Sequence, residues 1–209
     1  MDPFAGAPET REQLAELYAP AAQRTWSKDV GTLDHAARAL IAAAPLVIVG
    51  THDRDGRCDV SPRGGPAGFV TVLDDEHLAI PDATGNRRLD AITNVMATGR
   101  AGLLFLIGGR DQTLRVNGRA CVTAAPHVLD RVAAVGKPPR SAIVVRADEV
   151  YAHCPKAFIR SDLWDPASWP DRATLPSPAE VMLAHLRDPQ RTLAEEEEYL
   201  AEALRTRLA

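Results

Sequence analysis

Residues 100–123 read RAGLLFLIGGRDQTLRVNGRACVT, and the pattern of this stretch decides the fold. Residues 103–107 are continuously apolar, as in a strand covered on both faces. Gly108, Gly109, Arg110 and Asp111 interrupt the run. Leu114 and Val116, then Ala120 and Val122 beyond Asn117-Gly118, alternate at the period of two that a strand requires. The spacing predicts two consecutive strands. Working outward, LVIVGTHD (46–53) is a buried strand, DRDGR (53–57) holds the Asp-Gly pair of a hairpin turn, and CDVSP (58–62) resumes extended chain before the loop RGGPAG. FVTVL, the turn residues DDEH, and LAIPD (78–82) form a second hairpin; RRLDAITNVMATG (87–99) is a short helix ended by Gly99; SAIVVRADEVYAHC (141–154) is a closing strand. Several short strands with one or two short helices define an α+β chain with a mainly β core, a closed or partly closed barrel.

Helical patterns flank this core. Leu14, Leu17 and Tyr18 follow Thr10 at helical spacing, and Leu33, Ala36, Ala37, Leu40 and Ile41 repeat the pattern with Thr32 or Asp34 as the cap, so two helices are expected in residues 8–44. Pro45 disfavours helix at Ala44. After the barrel (46–154), residues 155–209 hold a Pro-rich, Trp-bearing connection and one long helix over 179–208, whose EEEEYLAEALRTR runs from acidic to basic as the helix dipole favours. The 209 residues are read as a single domain.

The bulk properties exclude several classes. A net charge of −4 gives no field for nucleic acid, so any anion site must be a local arginine cluster. Cys58, Cys121 and Cys154 are an odd, widely spaced set without a CxxC motif, which argues against a disulfide scaffold and for a reduced cytoplasm. The first thirteen residues contain no apolar run of a secretory signal, and ALIAAAPLVIVG is too short to span a bilayer. The six histidines lack ligand spacing, so no metal site is expected.

Three segments carry candidate chemistry. In DATGNRRLD (82–90), a strand end leads into a helix start. Backbone amides there attract anions, Arg87 and Arg88 add forked cations, and Asn86 adds a donor; a capped helix with solvated arginines fits the same residues. In VSPRGG (60–65), Gly64 and Gly65 would let backbone approach a planar ligand, with Arg63 reaching a phosphate or a ring edge; a plain hairpin loop is the alternative. In QTLRVNGRA (112–120), Thr113 and Arg115 share one strand face, a polar row that needs water or a ligand.

Taken in order, the Arg-Gly turn, the strand leading to Arg-Arg, the LLFLI strand and the polar strand ending Val116-Asn117-Gly118-Arg119-Ala120 resemble the pyridoxamine 5′-phosphate oxidase superfamily of FMN-binding split β-barrels. The resemblance covers about residues 45–150; the flanking helices and CPKAFIRSDLWDP are similar to a subgroup described as FMN-dependent. It implies an FMN-dependent oxidoreductase. Asn86, Arg87 and Arg88 match the family's Ser-Arg-Lys phosphate turn. Pro81 and Asp82 match the strand end passing the isoalloxazine, Arg63 the arginine of the preceding strand, and Gln112 or Thr113, beside Arg115, the family's flavin-bonding glutamine. The resemblance also implies a homodimer with FMN at the interface. The tail EALRTRLA lacks the family oxidase's Arg-x-His pattern, so pyridoxamine phosphate oxidation itself is not expected.

No catalytic side chain is assigned, because a flavin carries the redox chemistry itself. Lys156, Arg160 and Trp164 are the expected contacts of a small-molecule substrate. The competing expectation is a protein that binds flavin, deazaflavin or haem without strong turnover; a third is a structural domain that binds anions.

Overall fold

The computed structural model describes residues 2–83, 85 and 88–207. Seven strands form one antiparallel sheet: β1 (Leu46–His52), β2 (Cys58–Gly64), β3 (Thr71–Val72), β4 (His77–Pro81), β5 (Arg100–Leu106), β6 (Thr113–Thr123) and β7 (Ala142–His153), in the order β2-β1-β5-β6-β7-β4-β3. Val47 and Val49 of β1 near one end of that order, and Leu78 and Ile80 of β4 near the other, belong to one buried cluster with Leu103, Phe105, Leu114, Val116, Val145 and Val150. The sheet therefore curls around a single core and remains split between β2 and β3. The strand alternation read from the sequence is the alternation of burial: Val47, Val49 and Thr51 point in, whereas Leu46, Ile48, Gly50 and His52 point out.

Local chemistry fixes the turns. Asp53 Oδ1 accepts from the amides of Asp55 and Arg57 at 2.9 Å, and Gly56 takes φ +82° between β1 and β2. Asp34 caps α3 (His35–Ala43) by accepting from Ala37 N at 2.8 Å. Gly99 ends α4 (Asp90–Thr98) at φ +67°. The register of β6 against β7 shifts between Asn117 and Gly118. A Cβ on Gly118 would overlap the Arg146 carbonyl oxygen, so only glycine fits that bulge.

Four expectations are corrected. Residues 8–44 hold three helices, α1 (Arg11–Leu17), α2 (Gln23–Trp26) and α3; neither α1 nor α2 buries a residue. Only Thr71 and Val72 of FVTVL form strand, since Phe69 and Val70 turn into the core instead. After α5 (Pro126–Leu129) and α6 (Lys156–Ser161), the expected long C-terminal helix is two, α7 (Pro178–Leu186) and α8 (Leu193–Arg207). The break lies at Arg187, in the left-handed region at φ +53°, followed by Asp188-Pro189; Leu208 lies outside the described residues. Gly65 serves protein packing, because a Cβ there would come within 2.9 Å of Phe69 and Val135 side-chain atoms.

Candidate functional site

β2 runs along the sheet edge with Asp59, Ser61 and Arg63 opposite Thr51, Val49 and Val47 of β1. On β1 this inward row is buried; on β2 it is polar and half-buried. Polar groups on the core side of a sheet are costly unless something pairs with them. Asp59 Oδ2 and Ser61 Oγ are buried and have no hydrogen-bond partner. Against the same edge lies α4, which packs on β1 and β2 and is held by Asn94 Nδ2 donating to Thr51 Oγ1 at 3.1 Å. Its N-cap is Leu89, which supplies no side-chain cap, so the first amides of the helix lack the partner that a Ser or Asp would provide. Arg88 precedes it and pairs with Asp90. That hydrogen bond, and more weakly the charge of Asp59, holds the Arg88 guanidinium above its ordinary pKa.

The seam where α4 packs on β2, the β2–α4 cleft, thus carries the uncapped start of α4 and the Arg88 guanidinium at one element and a buried, unpaired carboxylate oxygen and hydroxyl at the other. The first group suits an anion; the second suits a polyhydroxyl chain, whose O–H groups would donate to Asp59 and exchange with Ser61. β4 lies on the far side of the split, two strands from β6 in the sheet order. Pro81 is buried and pairs with Ala142, and Asp82 N donates to Ser141 O at 2.9 Å. Asn86 and Arg87 lie outside the described residues. Arg63 is half-buried, its Nη1 donating to Pro62 O at 3.1 Å.

The polar row on β6 faces a second place. Thr113 and His153 are register partners, as are Arg115 and Tyr151. Arg115 Nη1 donates to Tyr151 Oη at 3.0 Å, and Lys28 lies 5.2 Å from the Tyr151 ring centroid. Thr113 is 2% exposed, against the solvent-facing alternative for this row, and its Oγ1 has no partner; neither has the buried Nδ1 of His153. Burial, then Arg115, then Lys28, pushes the His153 imidazole below its ordinary pKa. Gln112 sits in the preceding turn, accepting from Arg110 at 2.9 Å.

Lys156 and Arg160 lie exposed on α6, Arg160 Nε donating to Lys156 O at 3.1 Å, and Trp164 stacks on Phe158 at 5.8 Å. Asp59 and Ser61 are cleft residues that sequence reasoning missed. The signal was present in CDVSPRG: alternation puts Cys58, Val60 and Pro62 on one face and the polar residues on the other. Only the structure shows that the polar face is the inner one. Among the described residues no three His, Cys, Asp or Glu side chains gather as metal ligands, and no helix is long and apolar enough to cross a membrane.

Sheet order and core together define an α+β split β-barrel whose edge strand β2 carries a polar inner row. The chain belongs to the pyridoxamine 5′-phosphate oxidase family, which it matches over residues 33–154. That span runs from just before α3 to just after β7. Among solved structures, HupZ of group A Streptococcus is similar at 16% identity, covering 57% of this chain and 92% of that one, with a TM-score of 0.46. An FMN-binding protein of Syntrophomonas wolfei is 16% identical (56% and 83%, TM-score 0.40). The FAD binding protein of Mycobacterium smegmatis is 14% identical (58% and 95%, TM-score 0.41). No curated protein matches the chain.

Proposed function

We propose that this protein is an FMN-dependent oxidoreductase, acting on a small molecule as a cytoplasmic homodimer. The observation that carries the reading is the β2–α4 cleft in a chain of this family, where a buried hydroxyl and a buried carboxylate oxygen await partners beside an uncapped helix start. Arg63, Arg88 and the first amides of α4 would hold the phosphate, with Asn86 and Arg87 in the same connection. Asp59 and Ser61 would take the ribityl hydroxyls. Pro81 and Asp82 would line the ring, and Gln112 or Thr113 with Arg115 would meet its polar edge. Bound FMN would supply hydride or single-electron transfer. Lys156, Arg160 and Trp164 remain the proposed substrate contacts.

The dimer reading rests on the outer sheet face. Pro62, Ile48 and Leu104 form one cross-strand row, and Leu46 and Leu106 the next, all directed away from the core. Apolar rows facing outward on a sheet mark a covered surface. Light scattering is expected to give a dimer, and Leu104→Glu a monomer; a wild-type monomer with full FMN affinity would refute the assembly.

The test of function is direct. The purified protein should show flavin absorbance that bleaches with a physiological reductant. Arg63→Ala and Arg88→Ala should each weaken FMN about 10- to 100-fold, the effect of losing a charged hydrogen-bond partner worth roughly 1.5–3 kcal/mol. Unchanged FMN affinity in both variants would sink the assignment. A Soret band, or a near-UV deazaflavin band, would replace FMN with another ligand.

A further inference from the structure

A concavity lies on the outer face of the sheet, one row beyond the apolar rows assigned above to the dimer and on the side of the β1–β2 turn, where it would open at the rim of that interface. Its volume is about 580 Å³, and it crosses five strands at one register level. Val60 pairs with Gly50, Gly50 with Gly102, Gly102 with Asn117, and Asn117 with Glu149. Two glycines paired across neighbouring strands leave a strip of bare backbone between side-chain walls. One wall is Val60, 68% exposed. The other is Asn117, whose Nδ2 donates to Glu149 Oε2 at 2.7 Å and whose Oδ1 would lie 3.1 Å from a Cβ on Gly102. At one end Arg100 pairs with Asp148 at 2.9 Å, and Arg119 adds a second cation to Asp148 at 3.8 Å. The lining therefore holds one arginine against two carboxylates; Asp148 is neutralised, and Glu149, bonded through Oε2 alone, keeps Oε1 for a ligand.

We propose that this trough is a binding site for a planar heteroaromatic cation, a ring carrying an amidine-like edge of two N–H donors. The glycine strip admits a flat ring against peptide planes, as no side-chain-bearing pair would. Val60 covers the ring's apolar edge. Glu149 receives the two donors, and Asn117 Oδ1 accepts a third. The volume falls within the range of small-molecule pockets, about 300–1,000 Å³. None of the side chains that the trough offers a ligand is assigned to FMN, and the proposal stands whether or not FMN binds at the β2–α4 cleft.

The experiment uses the full chain, with and without FMN, and 2-aminobenzimidazole as probe. Amide shifts on titration should centre on Gly50, Gly102, Asn117 and Gly118, and benzimidazole-2-carboxylate should produce none. Glu149→Gln should weaken the probe at least tenfold with the melting temperature unchanged. Gly50→Val, whose Cβ would meet only Gly102 O at 3.7 Å, should abolish binding by filling the floor; if it fails to fold, Glu149→Gln decides. Shifts confined to the β2–α4 cleft, equal binding of the anionic analogue, or affinity unchanged in Glu149→Gln would overturn the proposal. So would amides of the trough that the probe reaches only when dilution separates two copies of the chain, for then the occupant is the second copy.

Discussion

At the scale of single residues, two glycines on one sheet differ in what they tolerate. Gly118→Ala sets a methyl against the backbone oxygen of Arg146, which cannot move without breaking the β6–β7 ladder, so a loss of at least about 3 kcal/mol is expected in urea unfolding. Gly102→Ala meets only the end of the Asn117 side chain and should cost less than about 1 kcal/mol. Ser61→Ala should move two quantities in opposite directions. Removing an unpaired buried hydroxyl raises the stability of the ligand-free protein by about 1 kcal/mol, while FMN affinity falls. His153 supplies a pH signature. Its folded-state pKa lies below the unfolded value of about 6.5, so the unfolded chain binds the proton first. Stability is full above pH 6.5 and declines as pH falls toward the folded pKa. In His153→Gln this part of the decline should vanish, read as the difference between urea midpoints of variant and wild type at pH 7.5 and 5.5. Asn117-Gly118 was legible in the sequence as an interruption of a strand, but its steric demand was not, because Arg146 comes to it through tertiary pairing. The unpaired hydroxyl of Ser61 was invisible for the same reason.

At the scale of elements, alternation and turn chemistry make the strands β1, β2, β4, β5, β6 and β7 readable in the sequence. The exception is β3, where Phe69 and Val70 look like strand yet fill the core from a turn. The C-terminal pair shows why a charged periodic pattern overruns its boundaries. Nothing in residues 179–208 forbids a continuous helix except Pro189, and the break is set by Arg187 at φ +53°. An L-residue there is strained by about 1–2 kcal/mol, so Arg187→Gly should raise the melting temperature even though glycine is a poor helix former. Next to that break, Glu196 is 1% exposed and is met by Arg191 Nε at 3.0 Å. Arg191→Ala would leave the carboxylate buried without its cation, which typically costs about 3–5 kcal/mol; thermal unfolding should show α8 detaching before the barrel. Four consecutive glutamates have the composition of a solvated face, and Glu196 is the member of the run that is buried.

At the scale of the whole molecule, the barrel was legible as a class, while the placement of the proposed ligand site was not. Residues 82–90 were readable as a strand end leading into a helix start, but Asp59 and Ser61, with their unpaired polar atoms, sit on a strand edge whose inner face the sequence does not declare. Strand order is the reason: β4 skips the two strands that follow it and pairs with β7, Pro81 against Ala142. That skip has a consequence for synthesis. A chain emerging from a ribosome can pair β1 with β2 and then with β5 as each appears, yet β4 has only the two-residue β3 beside it until β7 is made. Leu78 and Ile80, fully covered in the finished barrel, stay exposed for the whole of that interval. Late, non-local closure of this kind is slow and open to aggregation, so a translation pause before residue 142 would lengthen the most hazardous moment in the life of the molecule.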